Sequence, residues 1–154
     1  MTDFSIETME AAPRAYITLT SRMTEIPQSM AKGFAMLSEL FARAKAPMAG
    51  MPMAHYLTYD DTSTTFELGF PCRSEDEDAL RAAGLSIGRS PEGRNMKATH
   101  IGPYDTVGST YNAMIAAMQA KGLVPAKDMW EVYFSPPTTP PAEIRTDVIW
   151  PIAA

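Results

Sequence analysis

Hydrophobic and polar residues alternate with a period of two at the start of the chain. In FSIETME, Phe4 and Ile6 alternate with Ser5 and Glu7, and PRAYITLT (13–20) continues that behaviour after a short Ala-Ala-Pro turn. Both stretches predict strands. From Ile26 to about Ala46 the period lengthens: Met30, Phe34, Leu37 and Phe41 recur every three or four residues, which predicts an amphipathic helix stopped by Pro47. MAHYLTYD and TTFELGFPC then predict a hairpin around DDTS. RSEDEDALRAAG is acidic, has a short helical pattern ending at Gly84, and reads as a connector. LSIGRS and NMKATHIG, parted by a PEGR turn, predict two strands. The helical period returns through Val107, Tyr111, Met114, Ile115 and Met118, with Gly122 as its stop. MWEVYFS and RTDVIWPI predict two closing strands.

The order strand, strand, helix, strand, strand therefore occurs twice. Phe34 matches Tyr111 and Phe41 matches Met118 at one offset of 77 residues. ELGFPC lies over DVIWPI, so Phe70 matches Trp150 and both strands end in aromatic-proline. MAHYLTYDD is laid over MWEVYFSPP with a helix-to-strand loop one residue longer in the first half, which sets His55 against Glu131. A duplicated chain of this kind predicts an α+β fold of two antiparallel sheets and two helices about a pseudo-twofold axis. The half-repeats are expected at about 1–73 and 84–154, with a connector at 74–83, in one domain spanning 1–154. Such a fold leaves a groove between its halves where a small molecule can bind. On this alignment Glu131 and His55 face that groove from opposite sides.

Composition narrows the function. The chain has 154 residues, enough for one domain with a real core, and is 45% hydrophobic and 20% charged. Its formal charge is −5 with no dense basic run, which argues against direct nucleic-acid binding. Cys72 is the only cysteine, and His55 and His100 are the only histidines. No disulfide within the chain is possible, no metal-ligand spacing is evident, and no cofactor motif occurs. The start of the chain lacks a signal-peptide core and no stretch approaches a membrane span, so a cytoplasmic location without a membrane partner is expected. The 12 methionines include Met48, Met51 and Met53 in the loop PMAGMPMAHY, either as gap-filling residues or as an adaptable pocket wall.

THIGPYDTVGSTYNAMIAAMQAKGLVP, followed by MWEVYFSPPTTPPAEIRTDVIWPI, resembles the second half of the GyrI-like domains, the effector-binding domains of multidrug-sensing transcription regulators. The resemblance rests on His100, Gly102, Pro103 and Tyr104, on a helix ending in KGLVP, on WEVY before a Pro-rich loop, and on a last strand from RTD to WP. It covers roughly residues 95–152 well and the first half more loosely. It implies an aromatic-lined pocket with the glutamate of Glu-x-Tyr at its floor, here Glu131, with Tyr133 beside it. Family members implied by the resemblance bind lipophilic cations, hydrolyse cyclopropane-bearing DNA-alkylating natural products, or act on protein partners as gyrase inhibitors. These residues include no DNA-binding region of the kind the regulators carry, so a transcription-factor role for this chain alone is not expected.

Alternation puts Trp130, Val132 and Phe134 on one face of their strand and Met129, Glu131, Tyr133 and Ser135 on the other. The strand by itself suggests that the first set packs on the helix and the second meets solvent. The repeat and the resemblance instead turn Glu131 toward the ligand. An ionised carboxylate held away from water costs several kcal/mol unless something pairs with it. A cation would offset that cost; alternatively, the carboxyl serves as general acid/base of a cofactor-independent hydrolase, with Tyr133 assisting. The candidate ligand-binding set is Glu131, Tyr133, His55, Tyr16, Tyr111 and Trp150. For His55 a surface role, and for Tyr111 and Tyr104 a core role, stand beside the functional one. His100 reads as shaping its turn. TTPPAEIRTD is either a lid or a loop.

Overall fold

The computed structural model describes residues 4–136 and 138–153; Pro137 of the Pro-rich loop lies outside the described residues. The chain divides into two compact units, Ala11–Ser90 and Met1–Glu10 with Pro91–Ala154.

In the Ala11–Ser90 unit, β2 (Pro13–Arg22), β3 (Met53–Tyr59), β4 (Ser63–Pro71) and β5 (Ser86–Arg89) form antiparallel pairs in the order β3-β4-β2-β5. The hairpin turns at Asp60, whose Oδ1 accepts from the backbone N–H of Thr62 and Ser63 at 2.7 and 2.9 Å. Those bonds hold its carboxyl below the usual range. Helix α1 (Ile26–Ala44) lies on one face of this sheet. It ends where Lys45 takes a left-handed conformation, φ 55°, and Ala46 N–H returns to Phe41 O at 3.1 Å, just before Pro47. Leu37 and Phe41 are buried beneath it, and Phe34 and Phe41 set their rings against the ring of Phe70. The face under α1 therefore carries Ile17, Leu19, Ala54, Tyr56, Phe66, Leu68 and Phe70. Arg14, Tyr16, His55 and Glu67 occupy the opposite face.

Gly33 sets the distance between α1 and its sheet. A Cβ there would stand 2.8 Å from Leu68 and 2.9 Å from Leu19. Gly33→Val is accordingly expected to lose about 1–3 kcal/mol, since both leucines are held by packing. Urea unfolding checks this.

The connector carries the short helix that its sequence pattern predicts. Residues Glu77–Ala82 form α2, and Leu80 is wholly buried, because α2 and Leu85 close the end of the core beside α1 and β5. The described residues thus contain three helices, one more than the duplication predicts. Glu75 and Asp78 face solvent, Asp76 and Glu77 are half-buried beside Arg73 and Arg81, and Leu80 packs inward.

In the other unit, β1 (Phe4–Met9), β6 (Gly93–Ile101), β9 (Arg145–Ala153) and β8 (Met129–Tyr133) pair in that order, and β7 (Val124–Pro125) pairs with the end of β9. The first strand of each sequence repeat thus joins the unit built mainly from the other repeat: β1 pairs with β6, and β5 with β2. Helix α3 (Val107–Ala120) follows a single 3-10 turn at Tyr104–Thr106 and ends at Gly122, φ +70°. Thr110, Met114 and Met118 are its buried positions. Among the described residues, no helix is long and apolar enough to cross a membrane.

Candidate functional site

Strand β8 is buried on both faces: Met129, Trp130, Glu131 and Tyr133 are all less than one-tenth exposed. Register fixes which way each points. Glu131 sits opposite Val148, Tyr133 opposite Thr146, and Thr146 opposite His100. His100 Nδ1 lies 2.8 Å from the Thr110 hydroxyl of α3, so this whole row faces the helix. The strand taken alone placed Trp130 and Val132 against the helix and Glu131 in water. The structure reverses both assignments, because α3 lies across the Glu131 face and Trp130 is buried on the other.

Glu131 is 4% exposed, and two phenols hold it. Tyr133 donates to Oε1 at 2.8 Å, and Tyr111 on α3 donates to Oε2. These are charge-assisted hydrogen bonds and offset much of the cost of burying a carboxylate. The rings that carry them are themselves framed. Tyr104 stands edge-on to Tyr133 at 6.0 Å, and Trp150 stands edge-on to Tyr111 at 6.0 Å. The Trp150 indole N–H donates to Ala126 O at 2.8 Å, which fixes that ring as a wall. Tyr104 is 48% exposed, so the aromatic frame runs from the surface to the buried carboxylate.

Burial pushes the Tyr104 phenol above its ordinary pKa, and the negative charge of Glu131 pushes it further the same way. Glu131→Gln removes the second cause only. The Tyr104 pKa is then expected to fall while staying above 10, a shift read by Cζ resonances of labelled tyrosine across a pH titration.

Tyr16 and His55 belong to a separate cluster on the α1-remote face of the Ala11–Ser90 unit. Glu67 accepts from the Arg14 guanidinium, and His55 Nδ1 lies 3.1 Å from Glu67 Oε1. Arg14 also donates to Arg89 O at 2.8 Å and stacks 4.2 Å over the Tyr16 ring. Burial and the Glu67 charge raise the Tyr16 pKa against the opposing pull of Arg14. Arg14 and Glu67 had no place among the sequence candidates, since a lone arginine and a lone glutamate in alternating strands look like solvent-facing charges.

The pairing also corrects the match of His55 with Glu131. Leu68 corresponds to Val148 in the repeat; Leu68 pairs with Ala54, whereas Val148 pairs with Glu131. The counterpart of Glu131 is therefore Ala54, and that of Tyr133 is Tyr56, at the 77-residue offset already seen in the helices. Phe34 against Phe70 reproduces Tyr111 against Trp150, with ring centroids 6.4 and 6.0 Å apart. The two halves thus share an aromatic frame under their helices. The carboxylate belongs to one of them.

Of the six sequence candidates, the structure brings Glu131, Tyr133, Tyr111 and Trp150 together, and Tyr16 with His55 elsewhere. His100 shapes its turn as expected: its Nε2 meets Thr106 Oγ1 at 3.0 Å and Pro103 O at 3.3 Å.

Comparison of the sequence with curated proteins gives no match. Among solved structures, the EcmrR C-terminal domain aligns with a TM-score of 0.75 at 11% identity, covering 99% of this chain and 98% of that one. SAV2435 bound to tetraphenylphosphonium aligns at 0.67 and 10% identity, covering 98% and 94%. A hydrolase from Listeria innocua aligns at 0.67 and 13% identity, covering 97% and 91%. At such identities these likenesses carry the fold. A family model described as a GyrI-like small molecule binding domain matches residues 2–153, and the chain belongs to that family.

Proposed function

We propose that this domain binds lipophilic aromatic cations, with Glu131 as the charge anchor and Tyr111, Tyr133, Tyr104 and Trp150 as the ring surfaces that receive them. The observation that carries the reading is a buried carboxylate to which two phenols donate, inside an aromatic frame that reaches the surface at Tyr104. Phenols satisfy the oxygen lone pairs without cancelling the charge. A cation has no need of those lone pairs: it can sit against the ring faces and still be drawn by the carboxylate. Each ring face adds about 0.5–2 kcal/mol of cation–π attraction. SAV2435, which shares the fold, is a protein solved with such a cation, tetraphenylphosphonium.

Tetraphenylphosphonium and tetraphenylborate have the same shape and opposite charge, and isothermal titration with both separates charge from greasiness. Saturable binding of the phosphonium with no binding of the borate supports the reading. Equal binding of both defeats it.

A second reading uses the same residues. Two phenol O–H groups converging on one buried carboxylate make a proton-sharing array, as a hydrolase of cyclopropanoid compounds needs, and the fold is shared with the Listeria innocua hydrolase. Water would attack the cyclopropane carbon, the strained C–C bond would break, and the dienone oxygen would gain a proton by way of Glu131 or Tyr133 to become a phenol. Release of the hydrated, ring-opened phenol by the wild type and not by Glu131→Gln would move the assignment to catalysis.

A further inference from the structure

We propose that Thr146 is a further ligand-contacting residue of this site, and that it selects cations bearing a hydrogen-bonding group set apart from the charge. The inference rests on the reading of Glu131 as the ligand anchor. Thr146 lies in β9 on the α3-facing side, directly opposite Tyr133 and next to His100. It is wholly buried, and its hydroxyl has no hydrogen-bond partner among the described residues. The polar groups around it are engaged: Tyr133 and Tyr111 with Glu131, His100 with Thr106 and Thr110, and Trp150 with Ala126.

The duplication shows that the fold itself asks for no hydroxyl there. In the Ala11–Ser90 unit the matching position is Phe66, paired with Tyr56 as Thr146 is paired with Tyr133. Phe66 is wholly buried and packs its ring 5.4 Å from that of Tyr56. Where the half lacks the carboxylate, the position is filled by an apolar ring. Where the half has the carboxylate, it is a small residue with a donor and two acceptor lone pairs. A side chain smaller than phenylalanine stands there, and its unengaged hydroxyl has bonding capacity to offer.

Glu131 and Thr146 are diagonal neighbours across β8 and β9, a separation of about 7–8 Å between backbones. A para substituent on a phenyl ring held at the charge reaches that far. The ligand class is therefore an aromatic cation with a phenol, carbonyl or comparable polar atom at the distal end of one ring.

The test compares tetraphenylphosphonium with (4-hydroxyphenyl)triphenylphosphonium by isothermal titration, on wild type, Thr146→Val and Thr146→Ser. Wild type is expected to bind the hydroxylated cation about fivefold to tenfold more tightly. Thr146→Val is expected to lose that preference while keeping its affinity for tetraphenylphosphonium, and Thr146→Ser to retain the preference. The near-isosteric valine is also expected to raise Tm by about 2–4 °C, since it removes a buried hydroxyl without a partner. Equal affinities in wild type, or a preference that survives in Thr146→Val, overturn the proposal. A fall in Tm for the valine variant overturns it too, by showing the hydroxyl already engaged in the free protein. Failure of wild type to bind either cation removes the reading of Glu131 as anchor, and this inference with it.

Discussion

Glu131→Gln is expected to bind tetraphenylphosphonium at least tenfold more weakly than wild type, a loss of about 1.4 kcal/mol or more. A cation resting on the phenol rings stands about 5 Å from the carboxylate. At an effective dielectric of about 20 that pair is worth about 3 kcal/mol. The glutamine dipole recovers part of this, so the expected range runs from about tenfold to about a hundredfold. The substitution should leave the fold in place. An amide oxygen can accept from one phenol while the amide N–H₂ donates to the oxygen of the other, so Tyr111 and Tyr133 both keep a partner. Calorimetric titration of both proteins, with melting curves alongside, separates loss of charge from loss of structure.

His100→Ala is expected to destabilise its unit markedly. The Thr106 hydroxyl donates to Pro103 O at 2.8 Å, so its lone pair is available to accept from His100 Nε2–H. Nδ1 of the neutral ring is then the acceptor for Thr110, whose residue is 1% exposed. Alanine leaves a cavity and a buried threonine without its partner, which together cost about 2–4 kcal/mol. For a chain of this size the melting temperature should fall by about 5–15 °C. Because His100 ties the segment carrying Tyr104 and Tyr111 to β6, cation affinity should drop as well. Thr106→Ala removes an exposed partner of His100, whose Nε2 keeps Pro103 O at 3.3 Å, and should do much less.

The architecture was legible in sequence wherever one face of an element is apolar. The 3.6-residue stripe of Phe34, Leu37 and Phe41 places α1, and the alternation in PRAYITLT places β2. The pairing of Phe34 with Phe70 and Tyr111 with Trp150 confirms the duplication at the level of rings. Glu131 was legible as well, but only through its Glu-x-Tyr context. Alternation alone points it the wrong way, because β8 is buried on both faces and its pattern carries no preferred side.

The register of the repeat was the least legible feature. Matching Met53 to Met129 is persuasive by letter, yet strands have a period of two, and a slip of one residue sends every side chain to the other face. The slip gave Glu131 the partner His55, which lies on the α1-remote face beside Glu67. Only the ladder between β3 and β4, read against that between β8 and β9, restores Ala54. The swap of β1 and β5 was hidden for a related reason. Hydrophobic alternation says that a segment is a strand and leaves open which strand it will pair with.

Whether a cation is held at Glu131 can be seen in a crystal of the protein with tetraphenylarsonium, through the anomalous signal of arsenic. An arsenic peak is expected within about 6 Å of the Tyr111 and Tyr133 rings, on the side of the Glu131 carboxylate. Arsenic bound elsewhere, with Glu131 still held by its two phenols, would show that Glu131 is not the anchor.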